Sequence, residues 1–72
     1  MCQPEFIEVI VCGEARRLRV GSTVKDLLRE LGVPVAGTAV EVEGAILPPA
    51  AHAGTALLSG HRVEIVRLVG GG

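Results

Sequence analysis

The sequence ends in three glycines, Gly70-Gly71-Gly72, which directly follow an apolar segment. Glycine has no Cβ, so such a run can pass through a narrow channel and its backbone can approach a reactant closely. We therefore expect the carboxylate of Gly72 to be the reactive group. An ATP-dependent enzyme can adenylate it, and a sulfur, thiol or amine nucleophile can then attack the acyl-adenylate. Composition alone leaves a frayed or artificial end equally open.

The side chains that could do other chemistry are weaker candidates, and no catalytic residue or metal site is predicted. His52 and His61 have no cysteine or acidic neighbour at metal-ligand spacing, and both are expected to be exposed loop residues. Cys2 and Cys12 lack a CxxC spacing and a neighbouring base, which argues against a nucleophile. Cys12 is expected to be a small surface or half-buried filler.

Charge and composition exclude several classes of function. The net charge is −1, with 7 basic and 8 acidic residues, so neither nucleic acid nor a membrane is expected as a partner. No aromatic residue is expected beside Arg16, Arg17 and Arg19, which favours an edge strand protected by charge over a phosphate site. Two cysteines and the absence of an apolar run of about 20 residues favour a cytoplasmic protein.

The elements that must position the tail follow from hydrophobic periodicity. An apolar run over 6–12 predicts a strand that is covered on both faces or lies at the centre of the sheet. A turn is expected at Gly13-Glu14, and 16–20 predicts a second strand with Leu18 and Val20 facing inward. A helix follows, with Thr23 and Asp26 as its capping box and Gly32 at its end. Its apolar stripe consists of Val24, Leu27, Leu28 and Leu31.

Three further strands complete the domain. Strands are predicted over 38–42 and 45–47 around a Glu43-Gly44 turn, followed by one irregular helical turn within 50–58 and a last strand over 62–69. The order β-β-α-β-β-β predicts an α+β domain over 1–69, in which one helix packs on one face of a mixed sheet of four to five strands. Residues 70–72 are expected to form a flexible tail.

A β-grasp order that ends in two glycines resembles the ubiquitin-like sulfur carriers of the ThiS and MoaD families, and ThiS most. The resemblance covers nearly the whole chain. Cys12 and Glu43 depart from it, since such turns often carry asparagine. The segments that carry the resemblance are IVCGE (10–14), GSTVKDLL (21–28), AVEVEGAILP (39–48) and SGHRVEIVRLVGG (59–71).

The resemblance implies a carrier and co-substrate that catalyses nothing itself. An adenylating enzyme of the ubiquitin-activating type (ThiF/MoeB-like) would use ATP and Mg to activate Gly72. A cysteine desulfurase or other persulfide donor would supply sulfur, and a thiazole synthase (ThiG-like) would consume the thiocarboxylate in thiamine biosynthesis. No cofactor is expected to bind this chain itself.

Two alternatives remain open at this point, a MoaD-like carrier for molybdopterin synthesis and a ubiquitin-like modifier that is conjugated through its C-terminus. The last strand gives one more expectation. Val66 and Leu68 break its alternation, so apolar side chains are predicted on both faces near its end. We expect Ile10, Val66 and Leu68 to form part of the surface that partners contact.

Overall fold

The predicted order of elements is confirmed, and the strands form one five-stranded sheet. The computed structural model describes residues 5–68. The sheet has the order β2-β1-β5-β3-β4. β1 and β5 are parallel and the other neighbours are antiparallel, so the sheet is mixed. The elements are β1 (Phe6–Val11), β2 (Glu14–Arg19), α1 (Val24–Leu31), β3 (Thr38–Val42), β4 (Ala45–Leu47) and β5 (Arg62–Arg67), with a 3₁₀ turn at Pro49–Ala51.

Both hairpins turn through two residues whose φ angles are positive. The β3–β4 turn is Glu43-Gly44, as predicted, with φ of 53° and 84°. The β1–β2 turn is Cys12-Gly13, with φ of 48° and 86°, so the prediction of a turn at Gly13-Glu14 was one residue late. Positive φ at both central positions is what a two-residue hairpin of the right twist requires. Cys12 therefore belongs to the turn and not to β1.

The second strand also differs from its predicted bounds. β2 begins at Glu14 and ends at Arg19. Leu18 faces the core opposite Ile7, as predicted. Val20 lies beyond the strand and is 55% exposed, so its predicted inward position was wrong. The predicted alternation assigns Leu18 to the correct face, but β2 ends at Arg19, one residue before Val20.

The helix forms as predicted. The Thr23 side chain accepts the backbone N–H of Asp26, the Asp26 carboxylate accepts the N–H of Thr23, and Gly32 ends the helix in the left-handed conformation. The first N–H groups of the helix are satisfied by the segment before β5. Val24 donates to the carbonyl of Thr55 at 3.0 Å and Lys25 to that of His52 at 3.2 Å. That segment is thus held against the N-terminus of the helix.

The core lies between the inner face of the sheet and the apolar stripe of the helix. Leu31, predicted in that stripe, is half-buried. β1 is an interior strand, but only its Val9 and Val11 face is fully buried, while β5 occupies the middle of the sheet. The buried apolar residues are Val9, Val11, Leu18, Val24, Leu27, Leu28, Val40, Val42, Leu57 and Val63.

His52 belongs to this interior, although the sequence predicted an exposed loop residue. It is 2% exposed, and neither ring nitrogen has a hydrogen-bond partner among residues 5–68. The 3₁₀ turn directs the following residue back toward the helix, where the His52 carbonyl accepts from Lys25. The local sequence carries no sign of this, because the burial depends on where the 3₁₀ turn lies relative to distant elements such as the start of the helix.

Candidate functional site

The candidate functional site lies at the end of β5, because the predicted glycine tail follows this strand in the sequence. The strand is registered against β3 as far as the pair Thr38 and Arg67. One further ladder hydrogen bond follows, from the backbone N–H of Leu68 to the carbonyl of Gly37 at 2.7 Å. Gly70, Gly71, Gly72 and the predicted domain boundary after residue 69 lie outside the described residues. The structure therefore describes the chain as far as Leu68, two residues before the predicted tail.

Side chains from both hairpin turns hold the backbone of β5. On one side, the Sγ of Cys12 accepts the N–H of Ile65 at 3.4 Å. On the other side, the Oε2 of Glu43 accepts the N–H of Arg62 at 2.6 Å, while the Glu43 N–H donates to the Arg62 carbonyl at 2.9 Å. The exposed thiol of Cys12 thus contacts the strand, where the sequence predicted only a surface or half-buried filler. The strand before the tail is fixed from two neighbours at once.

The open face of the sheet carries the apolar side chains predicted for a partner surface. Val66 is 47% exposed and Leu68 is 58% exposed. Ile10 is half-buried. It pairs with Arg62, and alternate residues of β5 point to the same side of the sheet, so Ile10 lies on the same face as Val66 and Leu68. Arg62, the residue of β5 that pairs with Ile10, precedes Val66 by four residues, which is about 13 Å at the rise of a strand. The three residues share a face, but Ile10 does not touch the other two.

Ile46 is a further exposed apolar residue on the open face, and the sequence analysis did not predict it. Its side chain is 69% exposed, and it pairs with Glu41 on the same open face. The signal was present in β4, since Leu47 packs on the core and its neighbour must then point to the other side. Ile46 lies apart from Val66 and Leu68, because β3 separates it from β5 and its neighbours across the two strands are Glu41 and Glu64. We use the name open-face patch for Val66 and Leu68.

The arginines of β2 lie at the edge of the sheet, as predicted, but an aromatic ring accompanies them. The guanidinium carbons of Arg17 and Arg19 lie 5.5 Å and 5.8 Å from the centroid of the Phe6 ring. The expectation that no aromatic residue lies beside them was wrong, because Arg19 pairs directly with Phe6 across the hairpin. These cation–π contacts order both side chains on the open face.

The other candidate residues come together in no reactive arrangement. The Nδ1 of His61 accepts the N–H of Leu58 at 3.1 Å, a contact within one turn. Within residues 5–68, no three His, Cys, Asp or Glu side chains lie close enough to hold a metal ion. In the same part of the chain, no helix has the length and apolar character needed to cross a membrane.

The strand order 2-1-5-3-4, with one helix packed on one face and a last strand that leads to the tail, defines a β-grasp domain of the ubiquitin-like class. The ThiS family profile matches residues 9–72. The chain belongs to the ThiS family.

Two relatives support this assignment. The crystal structure of a thiamine biosynthesis protein (ThiS) from Geobacter metallireducens is similar with a TM-score of 0.79 and 29% identity, over 92% of this chain and 100% of that one. A thiazole synthase from Paramagnetospirillum magneticum is 38% identical over 66 residues, which are 92% of this chain. The chain spans only 20% of the length of that synthase.

Proposed function

We propose that the chain is a sulfur carrier for thiamine biosynthesis, and that sulfur is carried as a thiocarboxylate on Gly72. The observation that carries the proposal is a β-grasp domain of the ThiS family whose last strand leads directly to three glycines. The name of the Geobacter relative supports the thiamine pathway. The relative called thiazole synthase contains a similar region within a longer chain, which supports a thiazole synthase as the enzyme that consumes the sulfur.

The chemistry needs three steps: activation of the carboxylate, attack of sulfur on the acyl carbon, and release of the thiocarboxylate. First, a carboxylate oxygen of Gly72 attacks the α-phosphate of ATP, and pyrophosphate leaves. Second, the terminal sulfur of a persulfide attacks the acyl carbon, AMP leaves, and an acyl disulfide forms. A second thiol then attacks the persulfide's inner sulfur, which releases the thiocarboxylate and leaves a disulfide between the two thiols. The activating enzyme supplies ATP and Mg, so this chain needs no cofactor of its own.

The carrier itself contributes by presenting the carboxylate of Gly72 to the active sites of its partner enzymes. Glycines at 70–72 put no Cβ between the acyl carbon and the walls of an enzyme channel. A backbone of four residues beyond Leu68 spans at most about 14 Å, so the enzyme must dock close to the end of β5. The open-face patch ends at Leu68, with Ile10 farther along the same face. We propose that Ile10 and the open-face patch contact the adenylating enzyme and the synthase.

Mass spectrometry tests the chemistry directly. The full chain is incubated with an adenylating enzyme, ATP, Mg and a persulfide donor, and its intact mass is measured. Replacement of one oxygen by sulfur at the C-terminal residue is expected, and it should vanish in a chain that lacks Gly72 or has one residue added after it. Both changed chains should unfold at the wild-type temperature, because both keep residues 5–68, which contain the sheet, the helix and the described core.

Other outcomes of the same experiment would overturn the proposal. Sulfur transfer that persists without Gly72 contradicts the assigned carboxylate. Adducts of high mass on other proteins would identify a modifier instead. Transfer of the sulfur to a pterin precursor, with none to a thiazole synthase, would keep the carrier chemistry and overturn the pathway.

A further inference from the structure

Two glutamates lie directly opposite each other on the open face of the sheet. Glu41 of β3 pairs with Glu64 of β5, and residues paired in this way have Cβ atoms about 5 Å apart. Glu64 is exposed and Glu41 is half-buried. Among residues 5–68, no basic side chain forms an ion pair with either carboxylate. Like charges in this arrangement repel, so the pair by itself destabilises the sheet.

The two glutamates separate the apolar groups that we propose as the docking surface. Along β5, the open face carries Arg62, then Glu64, then the open-face patch, at steps of about 7 Å. Ile10 lies beside Arg62, before the glutamates, and the patch lies after them. A protein that covers both Ile10 and the patch therefore also covers Glu64 and its neighbour Glu41.

The chemistry of the covering protein follows from the cost of removing two carboxylates from water. An apolar surface would leave both charges buried and unpaired, which strongly opposes binding. A guanidinium group offers several N–H donors in one plane and keeps its charge at every physiological pH. It can therefore bond two neighbouring carboxylates at once and cancel much of their mutual repulsion.

We infer that Glu41 and Glu64 form a recognition site for an arginine side chain of the adenylating enzyme. The inference rests on the proposed function, in which this enzyme is the first to bind the carrier. The apolar groups supply contact area, whereas the acidic pair selects a surface with a basic side chain at one position. Charges arranged in this way contribute to the specificity and orientation of docking.

Replacing a glutamate by glutamine should have opposite effects on stability and on recognition. Glu64→Gln keeps the size of the side chain and removes one of the two repelling charges, so the variant should melt at or above the wild-type temperature. The same change removes a charged partner of the arginine and should weaken binding. A weaker interaction in a protein that is no less stable excludes damage to the fold as the cause.

Glu30 offers a matched control. It is exposed on α1, which packs against the core face of the sheet, so Glu30 lies on the side of the domain away from the open face. Glu30→Gln changes the net charge of the chain by the same amount. A general electrostatic attraction between carrier and enzyme would thus affect all the glutamine variants alike.

The experiment uses the full chain and an adenylating enzyme, and compares Glu41→Gln, Glu64→Gln, the double variant and Glu30→Gln. KM and kcat come from ATP–pyrophosphate exchange, and calorimetry without ATP gives the Kd of the complex. Each single change in the pair should raise KM and Kd about fivefold and the double change at least about tenfold, with kcat within about twofold of wild type. Glu30→Gln should match wild type. Added salt should weaken the wild-type complex more than that of the double variant.

Alanine substitution of the exposed arginines of the enzyme identifies the partner residue. One of them should weaken binding of the wild-type carrier and have little further effect on the double variant, since the two changes remove the same interaction. If no arginine shows this coupling, the inferred recognition site is overturned.

The sign of the effect and the two readouts separate the possible outcomes. A KM that falls in Glu64→Gln would show that an apolar surface covers the pair, and a KM equal to that of Glu30→Gln would show that the pair is not covered. Either result overturns the inference while adenylation of the wild type supports the proposed function. Binding that depends on the two glutamates without any adenylation of Gly72 would support the recognition site and overturn the proposed function.

Discussion

The thiol of Cys12 forms hydrogen bonds with both backbone groups of Ile65: Sγ accepts the N–H at 3.4 Å and donates to the carbonyl oxygen at 3.8 Å. The parallel pairing of β1 with β5 ends at Val11 and Val63. The side chain of Cys12 bonds Ile65, two residues farther along β5, where a continued ladder would use backbone groups of β1. A thiol is a weak donor and a weak acceptor, whereas a side-chain amide is strong in both roles.

The first prediction concerns this contact. Cys12→Asn should raise the free energy of unfolding by about 1 kcal/mol, because the amide bonds Ile65 more strongly and asparagine tolerates the positive φ at this position. Cys12→Ala should lower it by a similar amount, since both contacts with Ile65 are lost. Thermal unfolding of the wild type and the two variants under reducing conditions measures the order of their stabilities. An asparagine variant less stable than the alanine variant would show that the Cys12–Ile65 contact does not stabilise the fold.

Most of the fold follows from local patterns. The helix and its capping box are specified within 23–32, and the Glu43-Gly44 turn together with the alternation on either side of it determines β3 and β4. The errors in the predicted fold arose at the ends of β1 and β2, because local patterns do not show how far the sheet extends. Cys12 follows the apolar run of β1 and Val20 continues the alternation of β2, but Cys12 lies in the turn and β2 ends at Arg19.

The candidate site was predicted less completely, because it depends on contacts between distant elements. Val66 and Leu68 were identified from a break in the alternation of β5, and this is a local signal. The approach of Phe6 to Arg17 and Arg19 depends on the register of the β1–β2 hairpin, which the misplaced turn obscured. The link from Gly37 to Leu68 joins residues 31 positions apart, and no local pattern indicates it.

The second prediction concerns acid. The backbone N–H of Thr23, followed by its side chain, holds the pKa of Asp26 below the ordinary value by hydrogen bonding to the ionised carboxylate. The folded-state pKa is therefore lower than the unfolded-state pKa. It follows that the carboxylate's stabilising contribution is fully present above the unfolded-state pKa and is lost as the pH falls through the folded-state pKa.

Asp26→Asn isolates this contribution. Wild type should melt at a higher temperature than the variant at neutral pH, and the difference should shrink as the pH falls below the ordinary aspartate pKa of about 4. Thermal unfolding between about pH 7 and pH 2.5 measures it. A difference that stays constant across this range would show that the charge on Asp26 does not contribute to the capping of the helix.

The third prediction concerns the buried imidazole of His52. Its ring nitrogens have no hydrogen-bond partner in the part of the chain that the structure describes. A buried polar group without partners destabilises a fold, and an apolar side chain of similar size removes that penalty. His52→Leu should therefore raise the free energy of unfolding by about 1 kcal/mol, and thermal unfolding at neutral pH checks it.

His52→Ala distinguishes the polar group from the space that it fills. It should lower the free energy of unfolding by about 2 kcal/mol, because the smaller side chain leaves a cavity against the helix. If His52→Leu is destabilised as much as His52→Ala, the imidazole makes a stabilising interaction in the folded protein.

The fourth prediction tests the open-face patch, and the chain offers a closely matched control. Leu68 is 58% exposed at the end of β5, and Leu58 is 61% exposed in the segment before that strand. Both side chains can be changed to aspartate at a similar small cost to the fold, since neither contributes to the core. They differ in their distance from the tail.

Leu68→Asp should raise the KM for the chain in adenylation at least about tenfold, because a charge within an apolar contact must be desolvated on docking. Leu58→Asp should leave KM unchanged, and both variants should melt near the wild-type temperature. Initial rates of ATP–pyrophosphate exchange at varied carrier concentration provide the measurement. Equal KM values for the two variants would place the docking surface elsewhere on the domain, and a raised KM in Leu58→Asp alone would move it to the segment before β5.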